Sequence, residues 1–161
     1  MDNFIKYYTP GGLHPEEAEC IYNLINKYNI SSIVEIGCGI SSTQLFLDCV
    51  NELFTYESNQ EWADLISKTY NHNIKKYTPG ELNISETPDL IFIDGPSGSE
   101  NREDSFISSV GKSKYVLVHD SLGVVIQCFI NTYFKTDNLY NEIPLPPLHK
   151  TSGITLLKRN E

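Results

Sequence analysis

The sequence lacks any segment that would place the protein in or across a membrane. None of its 161 residues belongs to an apolar run that approaches the roughly 20 residues needed to span a bilayer. The N-terminus reads Met-Asp-Asn-Phe-Ile-Lys, without the basic and then apolar pattern of a secretory signal peptide. We therefore expect a soluble, cytoplasmic protein with no membrane partner.

Paired cysteines and basic residues are also lacking. The four cysteines are scattered, without Cys-x-x-Cys or paired-histidine spacing, which argues against a zinc site and a disulfide framework. Only 12 lysines and arginines stand against 21 acidic residues, giving a net charge of −9. Because nucleic-acid binding depends mainly on neutralising phosphates, DNA and RNA are not expected partners.

The length and composition are those of one globular domain spanning residues 1–161. Hydrophobic residues make up 40% of the chain and charged residues 20%, which is an ordinary balance for one hydrophobic core. A first helix is predicted over Pro15–Asn29, where apolar residues recur at helical spacing. Residues 1–14 form an N-terminal arm, which either covers an active site or carries surface tyrosines.

The most informative segment is residues 33–43, which read Ile-Val-Glu-Ile-Gly-Cys-Gly-Ile-Ser-Ser-Thr. This pattern predicts a strand, a tight turn and the start of a helix. Gly37 and Gly39 let a ligand approach the backbone, because they have no Cβ and reach positive φ. Glu57 lies 20 positions beyond Gly37, where nucleotide-binding α/β folds place the group that holds a ribose. Together these residues indicate a nucleotide-like cofactor.

The third position of the glycine pattern separates the cofactor classes. Dinucleotide binders place a glycine or alanine there, and this chain has Ser42. With Glu35 before the turn, the segment resembles the Glu-x-Gly-x-Gly signature of class I S-adenosylmethionine-dependent methyltransferases. The resemblance implies that Glu57 holds both ribose hydroxyls of S-adenosylmethionine. The cofactor-binding residues it implies are Glu35, Gly37, Cys38, Gly39, Ser41, Ser42, Glu57 and Asp94.

Further strand-like runs extend this resemblance along the chain. They cover residues 53–57, 73–77, 89–94, 115–120, 139–143 and 154–158. The resemblance implies a Rossmann-like three-layer α/β sandwich with a mainly parallel seven-stranded sheet in the order 3-2-1-4-5-7-6. The last two strands would form an antiparallel hairpin. No residue matches the family's adenine contacts.

Polar residues end two of the buried runs and are the catalytic candidates. Asp94, His119 and Asp120 should meet at the carboxyl edge of the sheet. A hydroxyl acceptor needs a general base, which His119, Asp94 or Asp120 would supply. Structural alternatives are a buried core histidine at 119 and a helix-capping role for Asp120 or Ser121, ahead of a well-buried helix over residues 122–134.

A divalent cation is the alternative way to activate the acceptor. Several small-molecule O-methyltransferases of this family bind Mg²⁺ after the fourth and fifth strands, where this chain has Asp94 and Asp120. The usual further carboxylate or amide beside the second ligand is Ser121 here. Metal dependence is therefore left open.

The loops facing the cofactor turn point to the acceptor. Ile-Asp-Gly-Pro, followed by Gly98 and Arg102, resembles a stretch of glucuronoxylan and related sugar O-methyltransferases. Arg102 would hold an acceptor carboxylate or phosphate through its planar fork, or face solvent. Tyr8 and His149 are further candidate substrate-binding residues. The compact chain leaves room for a homo-oligomer in which a second subunit completes the site.

We predict an S-adenosylmethionine-dependent O-methyltransferase acting on a sugar, glycan or similar small molecule. The alternatives are a protein or other small-molecule methyltransferase, a nucleotide-dependent oxidoreductase, and a non-catalytic cofactor-binding or interaction module. Ser42 and the absence of a second mononucleotide-binding half disfavour the oxidoreductase.

Overall fold

A computed structural model describes residues 2–148 and 153–160 of the chain. Seven strands in these ranges form one sheet. They are β1 Ser32–Ile36, β2 Glu52–Glu57, β3 Ile74–Lys76, β4 Leu90–Ile93, β5 Tyr115–His119, β6 Tyr140–Ile143 and β7 Ile154–Arg159.

The strand order is β3-β2-β1-β4-β5-β7-β6. Neighbours are parallel from β3 to β5, and β7 pairs antiparallel with both β5 and β6. The predicted order, the Rossmann-like α/β fold and the C-terminal antiparallel hairpin are therefore confirmed.

Helices connect the strands and cover both faces of the sheet. The α-helices are α1 Pro15–Tyr28, α2 Ile40–Cys49, α3 Gln60–Tyr70, α4 Glu103–Ser109 and α5 Val124–Phe129. Short 3-10 helices cover Asp2–Tyr7, Ser99–Asn101 and Thr136–Asn138. In the part of the chain that the structure describes, no helix has the length and apolarity needed to cross a membrane.

Helix α1 begins at Pro15, as the sequence predicts. Pro15 occupies the first turn, where its missing N–H costs nothing. His14 and Glu17 form a capping box, in which the side chain of each residue accepts a hydrogen bond from backbone N–H groups at the opposite end of the first turn. Asn29 ends the helix in the left-handed conformation. The capping box fixes Glu17, which becomes important at the site.

The core lies on the two faces of the sheet, and strand alternation decides which residue joins which face. Ile33, Phe92 and Leu117 pack with α1 and α2, while Val34, Ile91 and Val116 pack with α4 and α5. The same alternation assigns Glu35 and His119 to the face of α1 and α2. Two polar residues of the predicted site are thus directed toward a helical layer.

The predicted helix over residues 122–134 differs from the structure. Helix α5 is short and continues as a π-helical segment over Ile130–Lys135. Ile126, Ile130 and Phe134 are buried at a spacing of four, because only that stripe meets the sheet. Leu122 and Val124 are 71% and 86% exposed, so the prediction of a well-buried helix is wrong for its beginning. The N-cap is Gly123, not Asp120 or Ser121.

Candidate functional site

The carboxyl ends of β1, β2, β4 and β5 border a cavity of about 910 Å³. This volume lies within the roughly 300–1,000 Å³ of typical small-molecule sites, at the edge where open α/β sheets bind ligands. The walls come from residues 9–13, residues 37–42, Glu57, Asn59, Trp62, residues 94–98, Arg102, His119 and Asp120.

The turn after β1 depends on a close backbone contact. Gly37 has φ +88°, and a Cβ there would lie 2.5 Å from the amide nitrogen of Gly95. A side chain at either glycine would therefore push apart the turns that follow β1 and β4. The sequence predicts a glycine here because a ligand approaches the backbone. The packing of Gly37 against Gly95 is a second reason why this position needs a glycine.

Glu57 ends β2 and ties the cofactor turn to the next strand. Its Oε2 accepts a hydrogen bond from the Cys38 amide at 3.1 Å, and its Oε1 accepts one from the Asn59 amide at 2.7 Å. The Ser58 hydroxyl and the Cys38 thiol are farther away, at 3.4 and 3.6 Å. A carboxylate offers about four acceptor positions, so ligand hydroxyls can replace these two longer contacts.

Helix α2 points its N-terminus at the cavity. Its N-cap is Gly39, and the first-turn residues Ile40, Ser41 and Ser42 line the cavity wall. Because the N-cap residue is a glycine, it has no side chain that could cap the helix. Backbone amides and the positive end of the helix dipole are therefore available to a negatively charged group.

Glu35 lies beneath the turn and outside the cavity lining. It is fully buried, and its Oε2 accepts bonds from the hydroxyls of Thr43 at 2.8 Å and Thr55 at 3.1 Å. Burial raises the pKa of Glu35 to about 8 despite these hydrogen bonds, so the carboxyl holds its proton at neutral pH. Glu35 therefore does not border the cavity, because its side chain is covered by the helical layer on this face of the sheet.

Across the cavity, His119 lies between two carboxylates. Its Nδ1 is 2.9 Å from Oδ1 of Asp94, and its Nε2 is 3.3 Å from Oε2 of Glu17. Glu17 is only 2% exposed, and its Oε1 has no hydrogen-bond partner among the described residues. Helix α1 thereby contributes a buried carboxylate to the site from 102 residues away in the sequence.

The charge of His119 decides what it can do. Burial alone lowers the pKa of this imidazole, but the bonds to Asp94 and Glu17 outweigh that effect and raise it to about 10. The ring is therefore protonated at neutral pH, with both N–H groups donated to carboxylates. This state opposes the predicted role of His119 as general base and favours a role in orienting Asp94.

Arg102 is buried beside the same acidic groups. Its Nη2 lies 3.2 Å from Oδ2 of Asp120 and 3.4 Å from Oδ1 of Asp94. Its Nε and Nη1 donate to the backbone carbonyls of Pro96 and His119, at 3.1 and 3.2 Å. The arginine does not face solvent, being 6% exposed. Its fork is already engaged, so the predicted bidentate grip on an acceptor carboxylate would require breaking these bonds.

A second cavity of about 530 Å³ adjoins the first. Gly98, Arg102 and Asp120 line both cavities, and the second is otherwise bordered by Ser99, Leu122, Gly123 and Ile126. The exposed Leu122 therefore stands at the mouth of a pocket next to the acidic group. A molecule in this pocket would meet a charged wall and an apolar wall.

No family model matches the chain, and a search of curated proteins gave no match. Its structure is nevertheless similar to solved methyltransferases. A putative O-methyltransferase from Klebsiella pneumoniae aligns with a TM-score of 0.70 and 16% identity, covering 99% of this chain and 87% of that one. The O-methyltransferase from Bacillus cereus, solved with S-adenosylhomocysteine, gives 0.69 and 15%, covering 92% and 83%. The chain has the class I methyltransferase fold.

A more distant similarity is to a sugar-modifying member of this fold. The amino pentose methyltransferase from Micromonospora echinaspora, solved with S-adenosylmethionine, aligns with a TM-score of 0.54 and 9% identity. The alignment covers 65% of this chain and 49% of that one. It supports the shared fold of the two chains.

In this methyltransferase fold most of the predicted site residues border one cavity. Gly37, Cys38, Gly39, Ser41, Ser42, Glu57, Asp94, Arg102, His119 and Asp120 all do so. Tyr8 does not line it, because its ring is 49% exposed and packs edge-on against His14 at 6.2 Å. The neighbouring Thr9–Leu13 segment forms the wall in its place. His149 lies outside the described residues.

Three functional candidates escaped the sequence analysis. Glu17 reads as a helix-capping residue, and no local signal connects it to His119. Trp62 and Asn59 line the cavity beside Glu57, and the Trp62 Nε1 donates to the Cys38 carbonyl at 2.7 Å. Their place in the first turn of the helix after β2 was the available signal, because that turn lies at the carboxyl edge beside the ribose-binding position.

Proposed function

We propose that this chain is an S-adenosylmethionine-dependent O-methyltransferase that acts on the hydroxyl of a sugar, glycan or similar small molecule. The observation that carries this proposal is the division of one cavity into two unlike walls. The turn after β1, Glu57 and the N-terminus of α2 form one wall, while Asp94, Arg102, His119 and Asp120 form the other.

The first wall suits the parts of the cofactor. Glu57 would accept hydrogen bonds from both ribose hydroxyls, as its position at the end of β2 allows. The N-terminus of α2 would hold the carboxylate of the methionine part. Trp62 offers an apolar surface beside Glu57 for the adenine. When bound, S-adenosylmethionine supplies an electrophilic methyl group on a sulfonium.

The second wall suits the activation of a hydroxyl. Asp94 reaches the cavity, and His119 and Arg102 both contact its Oδ1. No hydrogen bond to its Oδ2 is found within the described residues, so this oxygen is the better base for the acceptor proton. His119 and Arg102 would orient the carboxylate, since the first is hydrogen-bonded to it and the second forms an ion pair with it. Alignment of the acceptor oxygen with the methyl group then depends on the surrounding loops.

The acceptor class rests on four observations. The Ile-Asp-Gly-Pro segment resembles sugar O-methyltransferases, and one protein of similar structure is an amino pentose methyltransferase. The pocket beside Asp120 combines charged groups with Leu122, which suits a hydroxylated ring that has an apolar face. A net charge of −9 opposes phosphate-rich acceptors such as nucleic acids.

Cofactor binding is the first test of this proposal. We expect S-adenosylhomocysteine and S-adenosylmethionine to raise the melting temperature and NAD to leave it unchanged. A ligand at about 100 times its dissociation constant adds about 2.7 kcal/mol to the free energy of unfolding. Stabilisation by NAD alone would indicate an oxidoreductase, and stabilisation by none of the three would contradict a cofactor site.

An acceptor screen is the second test. Purified protein with labelled S-adenosylmethionine should methylate members of a panel of sugars and other small hydroxylated molecules. With an acceptor in hand, Asp94→Asn should lower kcat and leave the affinity for S-adenosylhomocysteine unchanged. Asp64→Asn, at an exposed carboxylate on α3, is the matched control. Unchanged kcat in Asp94→Asn would rule out this carboxylate as the base.

A further inference from the structure

The carboxyl edge holds a group of side chains whose composition suits a divalent cation. Asp94, His119 and Asp120 each offer a ligand atom, and these atoms lie within 4.8 Å of one another. Hard cations such as Mg²⁺ bind several oxygen ligands at short distance. Whether the group fits a metal depends on what else lies between the carboxylates.

Arg102 already places a positive charge there. Its Nη2 bridges the two carboxylates, at 3.2 Å from Asp120 and 3.4 Å from Asp94. The guanidinium is held in place by the carbonyls of Pro96 and His119, and its side chain is 8% exposed. Moving it away would leave two buried carbonyls without their donors.

An ion bound at the same oxygens would lie close to the guanidinium. Mg²⁺ binds oxygen at about 2.1 Å. An ion on Oδ2 of Asp120 would therefore lie at most about 5.3 Å from Nη2 of Arg102, the sum of that bond and the 3.2 Å contact. A dication at this separation is repelled by the guanidinium, and the low exposure of the Arg102 side chain, 8%, limits the screening of that repulsion.

The histidine is also not available as a ligand. A metal-bound imidazole must offer a nitrogen lone pair to the ion. Both ring nitrogens of His119 are instead in hydrogen-bond contact with carboxylates, Nδ1 with Asp94 and Nε2 with Glu17. The three side chains therefore do not fit a divalent metal as they are arranged.

We infer that Arg102 is the resident cation of this site, and that it positions Asp94 and Asp120 in place of a divalent metal. The consequence for methyl transfer, which rests on the proposed function, is that the reaction needs no metal. Arg102 is a positioning residue in this scheme, because it acts through the two carboxylates.

The test is Mn²⁺ binding, measured by electron paramagnetic resonance on the whole chain. We expect no saturable Mn²⁺ binding by the wild type. Arg102→Met keeps a side chain of similar length and removes the charge, so it should bind Mn²⁺ about tenfold or more tightly than the wild type. Arg102→Lys restores a cation and should bind as weakly as the wild type. Arg159→Met, at the other arginine of the chain, is the matched control, since Arg159 lies exposed at the end of β7.

The outcomes separate this inference from the proposed function. Saturable binding of Mn²⁺ by the wild type would overturn the inference, and so would an Arg102→Met variant that binds no better than wild type. The wild-type titration is decisive even where Arg102→Met does not fold. Binding of S-adenosylhomocysteine, measured by calorimetry on the same samples, tests the proposed function independently. With an acceptor known, turnover after dialysis against EDTA should equal turnover before it.

Discussion

The two walls of the cavity are built in different ways. The first wall, called the cofactor wall below, uses backbone amides and Glu57, all contributed by residues 37–62. The second wall, called the acceptor wall below, uses charged side chains. Its hydrogen-bonded network includes Glu17, Asp94, Arg102 and Asp120, which come from separate segments. The first wall is built around a local turn. The second is an ionic network that only the assembled fold creates.

The largest effect should come from the point where the two walls touch. Gly37→Ala should lower the free energy of unfolding by about 3 kcal/mol or more, because the new Cβ would lie 2.5 Å from Gly95. Gly80→Ala is the matched control, since Gly80 has φ +87° with nothing within 4 Å, and should cost only about 1–2 kcal/mol. If urea denaturation showed equal losses of stability in the two variants, the positive φ alone would explain the requirement for glycine at position 37.

The next effect should be confined to the cofactor wall. Glu57→Ala removes the acceptor of the Cys38 and Asn59 amide bonds and the acceptor that we propose for two ribose hydroxyls. We expect the affinity for S-adenosylhomocysteine to fall about 100-fold or more in isothermal titration calorimetry. Glu61→Ala, at an exposed carboxylate in the first turn of α3, should bind like the wild type. An unchanged affinity in Glu57→Ala would contradict the assignment of this wall.

The charged residues of the acceptor wall should make the free energy of unfolding depend on pH. The folded-state pKa of His119 is about 10, above the ordinary 6.5. A raised pKa stabilises the fold fully below pH 6.5, and this contribution is lost as pH rises toward 10. The imidazolium faces Glu17, Asp94 and Asp120, with Arg102 as the nearby cation.

Replacing this histidine should therefore flatten the stability curve. Between pH 7.5 and 9, the free energy of unfolding of the wild type should fall more steeply than that of His119→Gln. The loss of one proton accounts for a difference in slope of up to about 1.4 kcal/mol per pH unit. His72→Gln is the control: burial lowers the pKa of His72, so its titration ends below this window. Parallel wild-type and His119→Gln curves in urea denaturation would show that His119 is not held charged.

The smallest effect should come from the arm that borders both walls. Tyr8→Ala should change the affinity for S-adenosylhomocysteine less than about twofold, because the half-exposed ring does not line the cavity. Leu13→Ala, which alters the buried cavity wall beside it, should weaken binding more. A large loss in calorimetry for Tyr8→Ala alone would show that Tyr8 contributes to cofactor binding.

Local patterns were enough for most of the cofactor wall, but not for Asn59 and Trp62. The strand, turn and helix around Gly37 and Gly39 follow from β-branched residues, glycine and hydroxyl residues that are adjacent in sequence. Glu57 follows from its spacing, because a strand and a helix of ordinary length separate it from the turn. Glu35 is the exception: its place in the motif is local, but its burial depends on the helices that cover that face.

Non-local contacts explain what the sequence analysis missed. The capping box predicts a solvent-facing role for Glu17 as readily as a buried one, and only the packing of α1 on the sheet brings it to His119. Leu122 and Val124 continue an apolar run and would be expected in the core. Which apolar residues meet the sheet depends on the direction in which α5 leaves β5.

The sequence by itself determined the class of fold, the strand order through family resemblance, and the residues that line the cofactor turn. These are properties of short segments, whose periodicity, glycines and spacing act over one strand or helix. Only the tertiary structure decided the charge state of His119 and the partners of Glu17, His119 and Arg102. Burial and hydrogen bonding set those properties, and both depend on contacts between segments that are far apart in the chain.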